Sequence, residues 1–169
     1  MSIVEWHVDA SHAVLVDCKG QTGAVMMLGK GGTCNASTKQ KLNTRSSTES
    51  EIVGSDDAMS QLLWTNYFLE AQGWFSQDTL MGQDNKSCML LEKNGKASSS
   101  KRTKHMNVRC YFVTDRIQKK ELKVFCCPTD EMVADFFTKP LQGRKFKKFR
   151  NMIMNIKDDK EISKKKPKK

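Results

Sequence analysis

The stretch Ser46-Ser47-Thr48-Glu49-Ser50-Glu51 constrains the chain most, because there a turn-prone polar segment gives way to a long helical pattern with an acid on its inner side. Ser46, followed three residues later by Glu49, reads as a capping box in which the hydroxyl accepts from a first-turn amide and the carboxylate reaches back. The helix is expected from about Ser47 to Gln72, with Gly73 as its stop. Positions seven and eleven apart return to within about 20° of one direction on a helix. Glu51 therefore shares a face with Ala58 and Leu62, and Glu49 with Asp56 and Ser60, which predicts Glu51 inward and Glu49 outward. An inward acid is costly unless it is paired or ligates a metal, so partners must come from elsewhere in the chain.

The 169 residues, 38% of them hydrophobic, suffice for one domain with a real core. No apolar run is long enough to span a membrane. Glu5, His7 and Asp9 interrupt the first apolar residues, unlike a secretory signal, so an intracellular location is expected. The six cysteines lack paired CxxC spacing, which favours structural thiols over zinc or disulfides. Of the net charge of +10, residues 150 to 169 carry +5 (8 basic, 3 acidic) and residues 1 to 149 the other +5 (21 basic, 16 acidic). A basic, disordered tail is expected over residues 156 to 169, and the moderately basic remainder suits a polyanionic partner.

Residues 3 to 9 alternate at period two, with Val4, Trp6 and Val8 opposite Glu5, His7 and Asp9, and predict a strand ending in an acid. A second strand is expected from Thr22 to Leu28, then a glycine turn at Gly29 to Gly32, then a short strand around Lys39 to Leu42. The glycine cluster lacks the spacing of a phosphate loop. After the long helix, Thr79 to Gln83 reads as a strand delivering Asp84, followed by a short helix around Met89 to Leu91. The basic run Lys101, Arg102, Lys104 and His105 leads into a helical pattern through Val108 and Ile117, and a last strand covers Glu121 to Cys126. Thr129, with Asp130 and Glu131, reads as the cap of a short helix containing Asp135 and stopped by Pro140.

This order implies an α/β fold with a mixed sheet covered on both faces. Chemistry in such sheets gathers at strand ends, where Asp9, Glu51, Asp84 and Asp135 would converge. Four carboxylates without a histidine cluster favour Mg²⁺ over zinc. Two such ions roughly 4 Å apart suit phosphodiester hydrolysis.

Val8-Asp9-Ala10-Ser11, Ser46 to Glu51, Gln83-Asp84-Asn85, Arg102-Thr103-Lys104-His105 and Ala134 to Leu141 together resemble the ribonuclease H domain of copia-type LTR retrotransposon Pol polyproteins from about residue 3 to residue 155, within a single domain expected over residues 1 to 155. The resemblance implies a ribonuclease H-like five-stranded mixed sheet and cleavage of the RNA strand of RNA/DNA hybrids during reverse transcription. It places the catalytic, metal-binding acids on Asp9, Glu51, Asp84 and Asp135, with two Mg²⁺ ions and Mn²⁺ as a substitute. Lys101, Arg102, Lys104 and His105 would contact the hybrid. A reverse transcriptase domain of the same polyprotein is the expected partner, and the cytoplasm (a virus-like particle) or the nucleus the expected location. The chain starts just before its first strand with no reverse transcriptase ahead of it, as a fragment or the remaining reading frame of a degenerate element would. The alternative function is a catalytically silent nucleic-acid-binding remnant, against which the intact acids argue. An integrase-type triad of Asp9, Asp84 and Glu121 is set aside, since Glu121 opens a strand and Glu51 and Asp135 are left unexplained.

Overall fold

The computed structural model describes residues 3–75, 78–95 and 107–157. Strands β1 (Val4–Ser11), β2 (Gln21–Met27) and β3 (Gly32–Lys39) form an antiparallel meander, while β4 (Thr79–Gln83) and β5 (Lys123–Cys126) add in parallel on the other side of β1. The result is the expected five-stranded mixed sheet, ordered β3-β2-β1-β4-β5. Helices α1 (Ser47–Ala71), α2 (Lys86–Asn94) and α3 (Asn107–Gln118) join the sequence α4 (Asp135–Thr138) and α5 (Gly143–Ile153) in covering it.

The alternation in β1 explains the layering. Val4, Trp6 and Val8 pack with Met59, Leu62, Met81, Val113 and Val124 in the larger core, beneath α1 and α3. On the opposite side Val25, Cys127, Met132, Val133 and Phe149 form a second core beneath α4 and α5. With both sides covered, nearly all of β1 is buried, including His7 and Asp9.

Three expectations need correction. The third strand lies at 32–39, before the segment expected around Lys39 to Leu42. It is an edge strand with a polar, largely exposed side, so it lacks the apolar run that marks an interior strand. The short helix begins at Asp135, not near Thr129, and Ala134 at its start makes no side-chain cap. Residues 129–134 instead fold as turns that bury Met132 and Val133. Finally, no element is expected between Pro140 and the tail, where the structure has α5 with its five cations. Only its Phe149 is fully buried. The tail beyond residue 157 lies outside the described residues.

Candidate metal centre

Parallel pairing of β1 with β4 sets their C-terminal ends side by side, with His7 level with Gly82. Asp9 therefore stands near the end of β1, beside Asp84 just past β4. Glu51 enters from the second turn of α1, which crosses the sheet closely enough that a Cβ on Gly54 would lie 3.2 Å from the Ala10 methyl. One carboxylate oxygen from each of Asp9, Glu51 and Asp84 lies within 4.8 Å of the others. Asp9 and Glu51 are buried and Asp84 is partly exposed, so the cluster opens toward solvent at Asp84.

Asp135 reaches the same place through a cation. Lys139 Nζ lies 2.5 Å from Asp135 Oδ1 and 3.4 Å from Asp9 Oδ1, and Lys145 Nζ lies 2.7 Å from Asp135 Oδ2. Thr138 donates its hydroxyl to Asp9 Oδ2. All of this depends on α4 lying against β2. Gly23 is paired with Asp9 across the β1–β2 ladder. A Cβ there would meet Thr138 Cγ2 at 2.7 Å, the Ala134 carbonyl at 2.9 Å and Phe137 Cβ at 2.9 Å.

Burial dominates the electrostatics. It pushes Glu51 up to about 9, helped by the charges of Asp9 and Asp84 and opposed by Lys139 and a backbone hydrogen bond to Ala10. Asp9 is raised by the same desolvation, against the Thr138 hydroxyl and Lys139. For Lys139 burial would lower the value, but the hydrogen bond to Asp135 and the nearby carboxylates hold it above its ordinary value. Glu51 Oε2 is buried without a hydrogen-bond partner. Oxygen donors gathered this closely, one of them without a hydrogen-bond partner, have the chemistry to suit a hard divalent cation.

Glu49 does not face outward as its helical period predicts. Glu49 is 6% exposed and Glu51 5%, because every residue from Glu49 to Ser55 is buried, whichever way it points from the helix axis. Their partners separate them. Glu49 Oε2 accepts the Arg45 amide at 2.7 Å, one residue further back than a standard box, while Ser46 Oγ accepts the Glu49 amide at 3.3 Å. Glu121 stands at the far end of the sheet, where Arg116 donates to it at 2.9 Å. Lys101, Arg102, Lys104 and His105 lie outside the described residues.

Three groups of neighbouring residues were not singled out from sequence. Thr138, Lys139 and Lys145 had a signal in their spacing from Asp135, with Lys139 one helical turn on. His12 Nδ1 lies 3.0 Å from Thr44 Oγ1 and 3.1 Å from Ser50 Oγ, a polar knot beside Glu51 with no local pattern. Beneath the acids, Gln83 donates to Ser55, and Cys88 donates to Glu92 Oε1 at 3.4 Å, all four side chains being fully buried. All six cysteines are free; Cys88, Cys110 and Cys127 are buried, whereas Cys18 and Cys126 are exposed.

No protein-family profile matches the chain. By sequence it is 28% identical over 152 residues to the retrovirus-related Pol polyprotein from transposon TNT 1-94 of Nicotiana tabacum, covering 89% of this chain and 11% of that one. It is 31% identical over 142 residues to the Pol polyprotein from transposon RE2 of Arabidopsis thaliana, covering 83% of this chain and 10% of that one. The chain thus spans about a tenth of the length of these relatives. In structure it is similar to LC11-RNase H1, isolated from compost by a metagenomic approach, with a TM-score of 0.61 at 12% identity over 82% of this chain and 94% of the other. The same enzyme in complex with an RNA/DNA hybrid matches with a TM-score of 0.54 at 10% identity, over 78% and 88%. The N-terminal RNase H domain of a Mycobacterium tuberculosis protein matches with 0.55 at 10% identity, over 89% and 98%. The fold is that of the ribonucleases H.

Proposed function

We propose that this chain, a ribonuclease H domain related to copia-type retrotransposon Pol polyproteins, hydrolyses the RNA strand of RNA/DNA hybrids during reverse transcription, with Asp9, Glu51, Asp84 and Asp135 as its catalytic acids. The supporting observation is the convergence of Asp9, Glu51 and Asp84 within 4.8 Å, with Asp135 joined to Asp9 through Lys139. The donors fit a hard divalent cation, Mg²⁺ or its substitute Mn²⁺, since all are oxygens and Glu51 Oε2 lacks any other partner. Two such ions, held by these four acids, would stabilise the attacking and leaving oxygens of the scissile phosphodiester.

The chain's own residues do the positioning. The Thr138 hydroxyl fixes the rotamer of Asp9, and Gly23 lets α4 lie close enough to make that contact. Lys139 neutralises the buried pair Asp9 and Asp135 and offers a charge that can move to a phosphate oxygen. The 2′-hydroxyl is the chemical difference by which the RNA strand is told from DNA. A reverse transcriptase domain of the same polyprotein is the proposed partner. Among the described residues no helix is long and apolar enough to cross a membrane.

The test is incubation of the purified chain with a hybrid labelled on its RNA strand, with Mg²⁺ or with excess EDTA. Cutting should need Mg²⁺ and spare single-stranded RNA, duplex DNA and the DNA strand of the hybrid. Undiminished cutting in EDTA, or scission of the DNA strand, overturns the assignment.

A further inference from the structure

We propose that α5 is a second nucleic-acid contact, a basic rail whose outer side grips the phosphates of the strand leaving the carboxylate cluster. The proposal rests on the hybrid-cutting reading for the identity of the strand, but its own basis is the helix itself.

Within eleven residues α5 carries Arg144, Lys145, Lys147, Lys148 and Arg150 and no acid. A helix that only keeps a surface soluble gains from interleaved charges at i and i+4, and is destabilised by each like-charged pair at that spacing. Here Arg144 faces both Lys147 and Lys148, an arrangement the free protein does not need. The apolar side of the helix is well anchored, with Phe149 fully buried and Met152 and Ile153 packed in the second core. The cations are therefore held on a fixed element.

The direction of the helix matters most. At its start Lys145 Nζ touches Asp135 Oδ2 at 2.7 Å, and at its other end a Cβ on Gly32, in the β2–β3 hairpin, would lie 3.2 Å from Ile153 Cγ2. The helix thus runs from the acids to the opposite end of the sheet, about 16 Å for eleven residues, some five nucleotide steps at about 3.4 Å each. Along it, Lys145 reaches in to an acid and Lys148 donates to the Asp130 carbonyl at 2.6 Å. Arg144 and Lys147 are exposed, and among the described residues no acid pairs with either. Two unpaired cations on a rigid element that begins at the reacting centre match a phosphate backbone, and contacts of this kind position a strand without reading its sequence.

The experiment uses the full chain and a fluorescent RNA/DNA hybrid in EDTA, so that binding is read without cleavage, by anisotropy over a series of salt concentrations. The double variant Arg144→Ala/Lys147→Ala should bind at least fivefold more weakly, and its salt slope should fall by about two, roughly one for each cation removed. A control, Lys119→Ala/Lys120→Ala at the far end of the sheet, should keep the wild-type slope. Thermal unfolding of each variant establishes that it is folded. A double variant that is folded and binds with unchanged affinity and slope overturns the proposal while leaving hybrid cutting by the wild type intact. A wild type that binds but never cuts in Mg²⁺ removes the catalytic reading, and the slope difference still decides the role of α5. Absence of any hybrid binding by the wild type overturns it as well.

Discussion

Two glutamates two positions apart show how little of a residue's role is set by burial alone. Glu49 and Glu51 are equally hidden, yet the first satisfies a backbone amide and the second has an orphaned oxygen among like charges. Glu51→Gln keeps the shape and removes the charge a cation needs, so hybrid cleavage should fall at least about 100-fold. The same change should stabilise the metal-free protein. Glu51 is raised from its ordinary value of 4.5 to about 9. Between those values the folded state retains a proton that the unfolded chain releases, so stability falls as pH rises through this window. In EDTA at pH 8 the variant should melt a few degrees above wild type, and at pH 4 the two should coincide. Glu49→Gln should keep cutting and lose roughly 0.5–1 kcal/mol, because a charge-assisted bond becomes a neutral one. Activity lost at Glu49 and kept at Glu51 would reverse their roles.

At the scale of elements, the site depends on how α4 and α1 are seated. A glycine inside a strand is usually improved by alanine, by roughly 0.5–1 kcal/mol. At Gly23 the new methyl would instead collide with the Ala134 carbonyl and Phe137 Cβ, both at 2.9 Å, and neither is the end of a flexible chain. Overpacking of this kind costs about 1–3 kcal/mol and wins. Gly23→Ala should lower the melting temperature and, by moving Thr138 and Asp135 away from Asp9, cut hybrid cleavage at least about tenfold. A variant as stable and active as wild type would show that α4 is not held by this contact. On the other side, Glu92 of α2 lies buried beside Cys88, and burial raises it from 4.5 to about 7, against hydrogen bonds from Ser55 and Cys88. Below about 4.5 both states are protonated and it costs nothing; as pH rises to 7 the folded state becomes penalised, by roughly 3 kcal/mol over the window. Glu92→Gln should flatten the stability profile between those values, as measured by urea unfolding at each pH. A profile as steep as that of wild type would place the titration elsewhere.

For the whole molecule, the two cores and the opening at Asp84 divide the labour. The side under α1 and α3 holds the larger core, while the side under α4 and α5 carries Asp135, Lys139 and Lys145 to the acids. Because metal binding to the folded state alone shifts the unfolding equilibrium, Mg²⁺ at 100 times its Kd should add about 2.7 kcal/mol. For a chain of this size that is a rise of roughly 5–10 °C in Tm. Na⁺ at equal ionic strength should not reproduce the rise, and Glu51→Gln should abolish most of it. An equal shift in Na⁺ would reduce the effect to screening.

Local chemistry alone was enough to mark α1, β1, β2, β4 and α3, because capping residues and apolar periods of 2 or 3.6 act within a few residues of where they stand. It also singled out Asp9, Glu51, Asp84 and Asp135 by their places at element ends. The edge strand β3 was misplaced and α5 was missed, since a polar edge and a cationic surface helix owe their form to what they lie against. Which side of α1 is buried near its start could not be read from its period, because the seven residues from Glu49 to Ser55 are all buried, on every side of the helix axis. Lys139 between Asp9 and Asp135, the seat of α4 on Gly23, and the buried set Gln83, Ser55, Glu92 and Cys88 join residues up to 130 positions apart. Only the closing of the sheet and the packing of helices on both its sides brings such residues within hydrogen-bonding distance, which is why the tertiary structure, and no local pattern, decided them.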